Sequence, residues 1–157
     1  MTVQQASDCL QAAIMLEVES RNRIFDMTKA LTDRISQMAM WLTNGDGKFG
    51  MMLCGTCGNG KTTFLKALRT LLNRLQVLND YDNSTYGLRI ATSKEIVQLY
   101  KTNYENWRKL CRYSMLAIDD LGCEPTELVD YGNVSNPIID LLSIRYDEQL
   151  LTLISTN

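Results

Sequence analysis

Gly55-Thr56-Cys57-Gly58-Asn59-Gly60-Lys61-Thr62 is the stretch on which the reading of this chain turns. It fits the pattern G-x-x-x-x-G-K-[ST], and its neighbours supply the context that pattern needs. Before it, Phe49-Gly50-Met51-Met52-Leu53-Cys54 is an apolar run too short for a helix and closed by glycine, which reads as a buried strand of a parallel sheet. After it, from Lys61 to about Leu78, Phe64, Leu68, Leu71, Leu72 and Leu75 make one apolar face while Lys66, Arg69, Asn73 and Arg74 stay outward. That is a long helix. Six of the nine glycines fall between Gly45 and Gly60, so the chain is bent where strand passes into helix. Such a bend turns successive N–H groups inward toward phosphate oxygens, and the helix adds the positive end of its dipole. The expected cradle is Gly55, Thr56, Cys57, Gly58, Asn59, Gly60, Lys61, Thr62 and Thr63. Lys61 would reach the outer phosphates of ATP, and the Thr62 hydroxyl would face Mg²⁺.

Working outward, residues 6–43 read as helices, with Ala12, Ala13 and Leu16, then Ile24, Met27, Leu31, Ile35, Met38 and Leu42 at spacings of three and four. Asn44-Gly45 is the expected stop. Downstream, the polar run Asn79–Thr85 is a surface loop, and Leu88–Ala91 is a short strand. Thr92 and Glu95 make a capping-box signature, from which a helix is expected to run through Ile96 to about Arg112. Ser114–Ile118 is a third strand, Asn136-Pro137 opens a helix to about Gln149, and Leu151–Ser155 is a fourth strand. This alternation predicts a doubly wound α/β sheet with right-handed crossovers. We divide the chain into an N-terminal helical segment, 1–44, and a core, 45–157.

The third strand ends in Asp119-Asp120, where a Walker B carboxylate belongs. Asp119 would hold Mg²⁺ and Asp120 would polarise the attacking water, a role more usually given to glutamate. Glu124 is a rival base. Ser155-Thr156-Asn157 closes the fourth strand, where ligands of open α/β sheets bind, so Asn157 is a candidate sensor of the γ-phosphate. Histidine is absent, which excludes imidazole bases, most catalytic zinc sets and Ser-His-Asp chemistry. Cys54 and Cys57 have C-x-x-C spacing but straddle the first loop glycine, where a metal would destroy the cradle, so zinc is rejected. Five scattered cysteines and the lack of a leader or apolar span predict a cytoplasmic protein with no membrane partner. The 16 basic and 18 acidic side chains do not by themselves call for nucleic acid. On one continuous helix, however, Lys94, Lys101, Arg108 and Arg112 would form a row able to meet the phosphates of single-stranded DNA. Beside it Val97, Tyr100, Tyr104, Trp107 and Cys111 make a stripe that is more often a buried face than a stacking platform.

Met52-Leu53-Cys54-Gly55 through Lys61-Thr62, with Leu116-Ala117-Ile118-Asp119-Asp120-Leu121-Gly122-Cys123-Glu124-Pro125, resembles the AAA+ ATPases of the DnaC/IstB type. Pro137-Ile138-Ile139-Asp140 to Ile144-Arg145-Tyr146, leading into Thr152–Asn157, extends the resemblance over roughly residues 34–157. It implies a P-loop three-layer sandwich with a mainly parallel sheet, preceded by N-terminal helices. It further implies Mg²⁺-dependent ATP hydrolysis, a replicative helicase or transposase as partner, and a homo-oligomer at full length. Relatives continue into an arginine finger and a helical lid, whereas this sequence stops at Asn157, either as a piece of a longer chain or without those parts, so hydrolysis is expected to be weak and nucleotide binding to outlast it. Two other readings stay open. A small-molecule or nucleoside kinase would need an arginine-bearing lid, and after Arg112 the sequence has only Arg145. A non-hydrolysing adaptor would use nucleotide only to order a surface.

Overall fold

The computed structural model describes residues 1–43, 49–78, 85–124, 128–130 and 133–157. The chain forms two compact units, Met1–Lys48 with Thr62–Tyr86, and Phe49–Lys61 with Gly87–Asn157. The division differs from a cut at 44/45, because nearly all of the helix that follows the glycine loop falls in the first unit. Asn44-Gly45 and most of the Asn79–Thr85 run lie outside the described residues.

In the first unit, α1 (Val3–Glu19) starts at a capping box in which Thr2 Oγ1 accepts from the Gln5 N–H and the Gln5 side chain accepts from the Thr2 N–H. Its buried stripe is Ala6, Leu10, Ala13 and Ile14, rotated from the expected Ala12–Leu16 face, and Leu16 is exposed. Residues 20–28 are not helical, and Ile24 is 96% exposed, so the spacing that joined it to Met27 and Leu31 marks no core. A second helix, α2 (Lys29–Thr43), buries Ile35, Met38 and Ala39. Phe64, Leu65, Ala67, Leu68, Leu71 and Leu72 are buried along α3 (Lys61–Leu75). That helix stops where Gln76 turns left-handed, at φ 45°, leaving Leu75 exposed.

The second unit contains β1 (Gly50–Cys54), β2 (Leu88–Thr92), α4 (Ser93–Thr102), α5 (Tyr104–Cys111) and β3 (Met115–Leu121). A short antiparallel hairpin, β4 (Leu128–Asp130) and β5 (Asn133–Ser135), follows, then α6 (Pro137–Asp147) and β6 (Leu151–Thr156). Neither of these two short strands was among the expected elements. Four strands pair in parallel in the order β1-β6-β3-β2. Central β3 is buried from Met115 through Asp119, and its Leu116 and Ile118 pack with Ile96, Trp107, Leu110 and Leu141. Each such aliphatic side chain contributes about 1.5–3 kcal/mol relative to leaving it in water.

Among the described residues β1 pairs only with β6, and its burial alternates, with Met52 53% exposed. The expected buried strand is therefore an edge strand. The expected helix to Arg112 is also corrected, because it breaks at Asn103, whose Oδ1 accepts from the Asn106 N–H and caps α5. The third strand runs on to Leu121, so Asp119 and Asp120 lie within it rather than after it.

A candidate phosphate and metal site at the carboxyl edge of the sheet

Strand register brings the functional candidates of the second unit to one edge. Cys54 pairs with Thr156, Leu121 also pairs with Thr156, and Thr92 pairs with Asp119, so the ends that carry Gly55, Asp119, Asp120 and Asn157 are aligned. Ligands of open α/β sheets bind outside this edge.

The loop after β1 curls because Gly58 and Gly60 take φ values of 83° and 73°, left-handed conformations open to glycine and strained for most residues. A Cβ at either position would meet no atom within 4 Å, so the demand there is conformational rather than steric. Lys61 opens α3 and is 7% exposed. Its Nζ donates to Gly55 O at 2.6 Å, Thr56 O at 3.0 Å and Asn157 Oδ1 at 2.8 Å. The ammonium thus stands between the loop and the end of β6, beside the amide expected to read the γ-phosphate. Thr62 and Thr63 are described with the first unit, where Thr63 Oγ1 accepts from Arg21 Nη1 at 3.2 Å and Arg21 in turn pairs with Glu17. Cys54 and Cys57 are free and exposed.

Asp119 and Asp120 are held by residues the sequence reading did not single out. Four residues of β3, from Ile118 to Leu121, face three of β6, from Ile154 to Thr156, which is a β-bulge. Asp120 sits in it with φ 57°, a conformation that aspartate tolerates better than most side chains. Ser155 is fully buried, and its Oγ donates to Asp119 Oδ1 at 2.5 Å and accepts from the Asp120 N–H at 3.0 Å. Ser93, also fully buried, donates to Asp120 O at 2.8 Å. Thr156 Oγ1 donates to Leu121 O at 2.9 Å. Asp119 itself is 4% exposed, whereas Asp120 is half-buried. The signal for these hydroxyls was present, since Ser155 is a small polar residue at the end of an apolar strand. Without the pairing of β3 with β6, nothing said what it faced. Glu124 accepts from the Gly122 N–H at 2.8 Å, closing the turn after β3.

Among the described residues no group of three or more His, Cys, Asp or Glu could hold a metal ion. Within the second unit the Asp119 carboxylate is a hard oxygen donor of the kind Mg²⁺ takes, an ion that keeps waters and shares phosphate oxygens.

The remaining candidates separate from this edge. Lys94 and Lys101 are exposed on α4 and Arg108 on α5, but the break at Asn103 removes the single helix that aligned them. Arg112 Nε pairs with Glu148 Oε1 at 2.9 Å. Trp107 packs edge-on against Tyr100 and stacks on Tyr104, so the aromatic stripe is largely core, with only Tyr104 well exposed. Arg145 is 1% exposed and donates to Thr152 Oγ1 and to the carbonyls of Cys111, Tyr113 and Leu151. Burial lowers its pKa to about 10. An apolar groove of about 570 Å³, lined in part by Met52, Ile139, Leu142, Tyr146 and Ile154, runs beside β1 and holds none of the phosphate or metal candidates.

No protein-family model matches the chain, and no curated protein matches it by sequence. Its structure is similar to that of AMPPCP-bound DnaA from Aquifex aeolicus, with a TM-score of 0.59 and 16% identity. The likeness covers 85% of this chain, which spans 40% of that one. The fold is therefore α/β, with a parallel four-stranded sheet and helices, consistent with a P-loop NTPase sandwich.

Proposed function

We propose that the chain is the nucleotide-binding core of a Mg²⁺-dependent AAA+ ATPase of the DnaC/IstB type, acting in the cytoplasm on DNA replication or transposition assemblies as helicase loaders do. In this reading the loop from Gly55 to Thr63 cradles the phosphates of ATP, and Lys61 neutralises the outer ones. Thr62 and Asp119 hold Mg²⁺, Asp120 orients the attacking water, and Asn157 senses the γ-phosphate. The observation that carries it is the meeting of Lys61 Nζ with Asn157 Oδ1 at 2.8 Å, on the strand whose Ser155 binds Asp119. A cation for phosphate, an amide for its terminal oxygens and a carboxylate for metal thus share one sheet edge. Lys94, Lys101 and Arg108 are the cations we assign to single-stranded DNA, presented by two short helices rather than by one row. Partners in this reading are a replicative helicase or transposase and further copies of the chain.

Burial of Arg145 argues against a kinase, because a side chain fixed by four hydrogen bonds cannot sweep over a second substrate. The test is phosphate release from ATP with Mg²⁺, measured with and without single-stranded DNA. Stimulation by the strand, with release falling about 10²–10⁴-fold in Asp120→Asn while ATP stays bound, is the expected result. Indifference to DNA together with phosphate transfer to an added acceptor would instead favour the kinase. Unchanged release in Asp120→Asn would remove that residue from the mechanism.

A further inference from the structure

We infer that Ser155 is a positioning residue that ties the two acids of β3 to the end of β6, so that the metal-holding carboxylate and the phosphate-facing amide move as one piece. This rests on the nucleotide reading above. One hydroxyl serves both acids, donating to Asp119 Oδ1 and accepting from the Asp120 N–H. Two residues further along the same strand, Asn157 Oδ1 accepts from Lys61 Nζ. The linkage Lys61, Asn157, Ser155, Asp119 therefore consists of two side-chain contacts and two peptide units, all inside the second unit.

The bulge makes the hydroxyl necessary. An extra residue in β3 takes the Asp120 N–H out of the regular ladder, and a buried donor left without an acceptor is costly. Ser155 Oγ supplies that acceptor, while Ser93 and the Cys123 N–H serve the carbonyl on the other side of the same residue. Asp120 is thereby held at φ 57° from both ends. At Asp119, 4% exposed, the donated hydrogen bond fixes one carboxylate oxygen. Removing a partner that orients a metal ligand commonly costs about 10–100-fold in metal affinity.

The test compares Ser155→Ala with Thr156→Ala in the intact chain. Thr156 is the matched control, because its hydroxyl crosses between the same two strands but donates to Leu121 O. A fluorescent ATP analogue is titrated without metal and then with increasing Mg²⁺, and thermal melting checks the fold of both variants. We expect the Mg²⁺ concentration that half-saturates the metal-dependent gain in binding to rise about 10–100-fold in Ser155→Ala, with metal-free binding within about twofold of the unaltered chain. Thr156→Ala should leave the Mg²⁺ response unmoved. ATP turnover should lose kcat with little change in KM for Ser155→Ala alone. Equal Mg²⁺ responses in the two variants, or a Ser155→Ala response like that of the unaltered chain, would overturn the proposal and leave the nucleotide site standing. Failure of the unaltered chain to bind the analogue at all would overturn the nucleotide reading and this inference with it.

Discussion

Lys61 brings one ammonium against two loop carbonyls and an amide oxygen. In the proposed reading, phosphate would give the cation charged acceptors in place of neutral ones, and hydrogen bonds to ionised groups are roughly twice as strong. Truncating such a charge costs about 2–5 kcal/mol. Lys61→Ala should therefore weaken ATP binding at least about 30-fold in a fluorescence titration, with melting little changed. Thiol chemistry offers an independent reading of the same loop. Exposed Cys57 lies in the expected cradle, while Cys111 is fully buried and desolvation pushes its thiol up to about 11. In the folded protein Cys54, Cys57 and Cys123 should label readily with a maleimide and Cys111 only on unfolding, with ATP protecting Cys57. Because the folded pKa of Cys111 lies above the ordinary 9.0, the unfolded chain loses that proton first. The stability associated with the neutral thiol is present below pH 9 and declines between pH 9 and about 11. A chemical-denaturation midpoint that did not respond to replacing Cys111 across that window would contradict this.

Elements differ in how much of their ending was written locally. The start of α4 was legible, because a capping box needs only Thr92 and Glu95 three residues apart, and both of its hydrogen bonds form. Its end was not. Tyr100, Tyr104 and Trp107 keep helical spacing across Asn103, so periodicity saw one helix where the backbone breaks. The asparagine is the local cause, since its side chain caps α5 in place of continuing α4. Asn103→Ala should cost about 1 kcal/mol, read as a fall in Tm of about 2–4 °C. Arg145 is the contrasting case, a charge that pattern reading leaves on the surface. It binds α6 to the carbonyls that close α5 and open β6, and each buried acceptor left unpaired costs about 1–3 kcal/mol. Arg145→Met should lower Tm by more than twice the Asn103→Ala shift while sparing the residues of the sheet edge. Equal shifts would contradict the structural role given to the guanidinium.

For the molecule as a whole, the sequence made the parallel sheet and its candidate functional edge readable because the evidence was local: short apolar strands separated by helices, three of them ending in glycine, acid or amide. The strand order that sets β6 between β1 and β3 was not local, and with it came the hydroxyls of Ser155 and Thr156 and the bulge at Asp120. The reach of the N-terminal segment was misjudged for a related reason, as spacing alone cannot tell exposed Ile24 from buried Ile35. Charge distribution leads to a further expectation at this scale. If Lys94, Lys101 and Arg108 meet single-stranded DNA, replacing all three with alanine should weaken binding at low salt and flatten the dependence of log affinity on log salt, measured by fluorescence anisotropy. An unchanged slope would remove these helices from DNA contact. Whether the chain grips a nucleotide at all bears on every other proposal here, and calorimetric titration of ATP with Mg²⁺ into the intact chain, set beside Lys61→Ala, decides it. The account predicts one ATP per chain with the heat lost in the variant; no heat in the unaltered chain, or equal affinity in both, would contradict it.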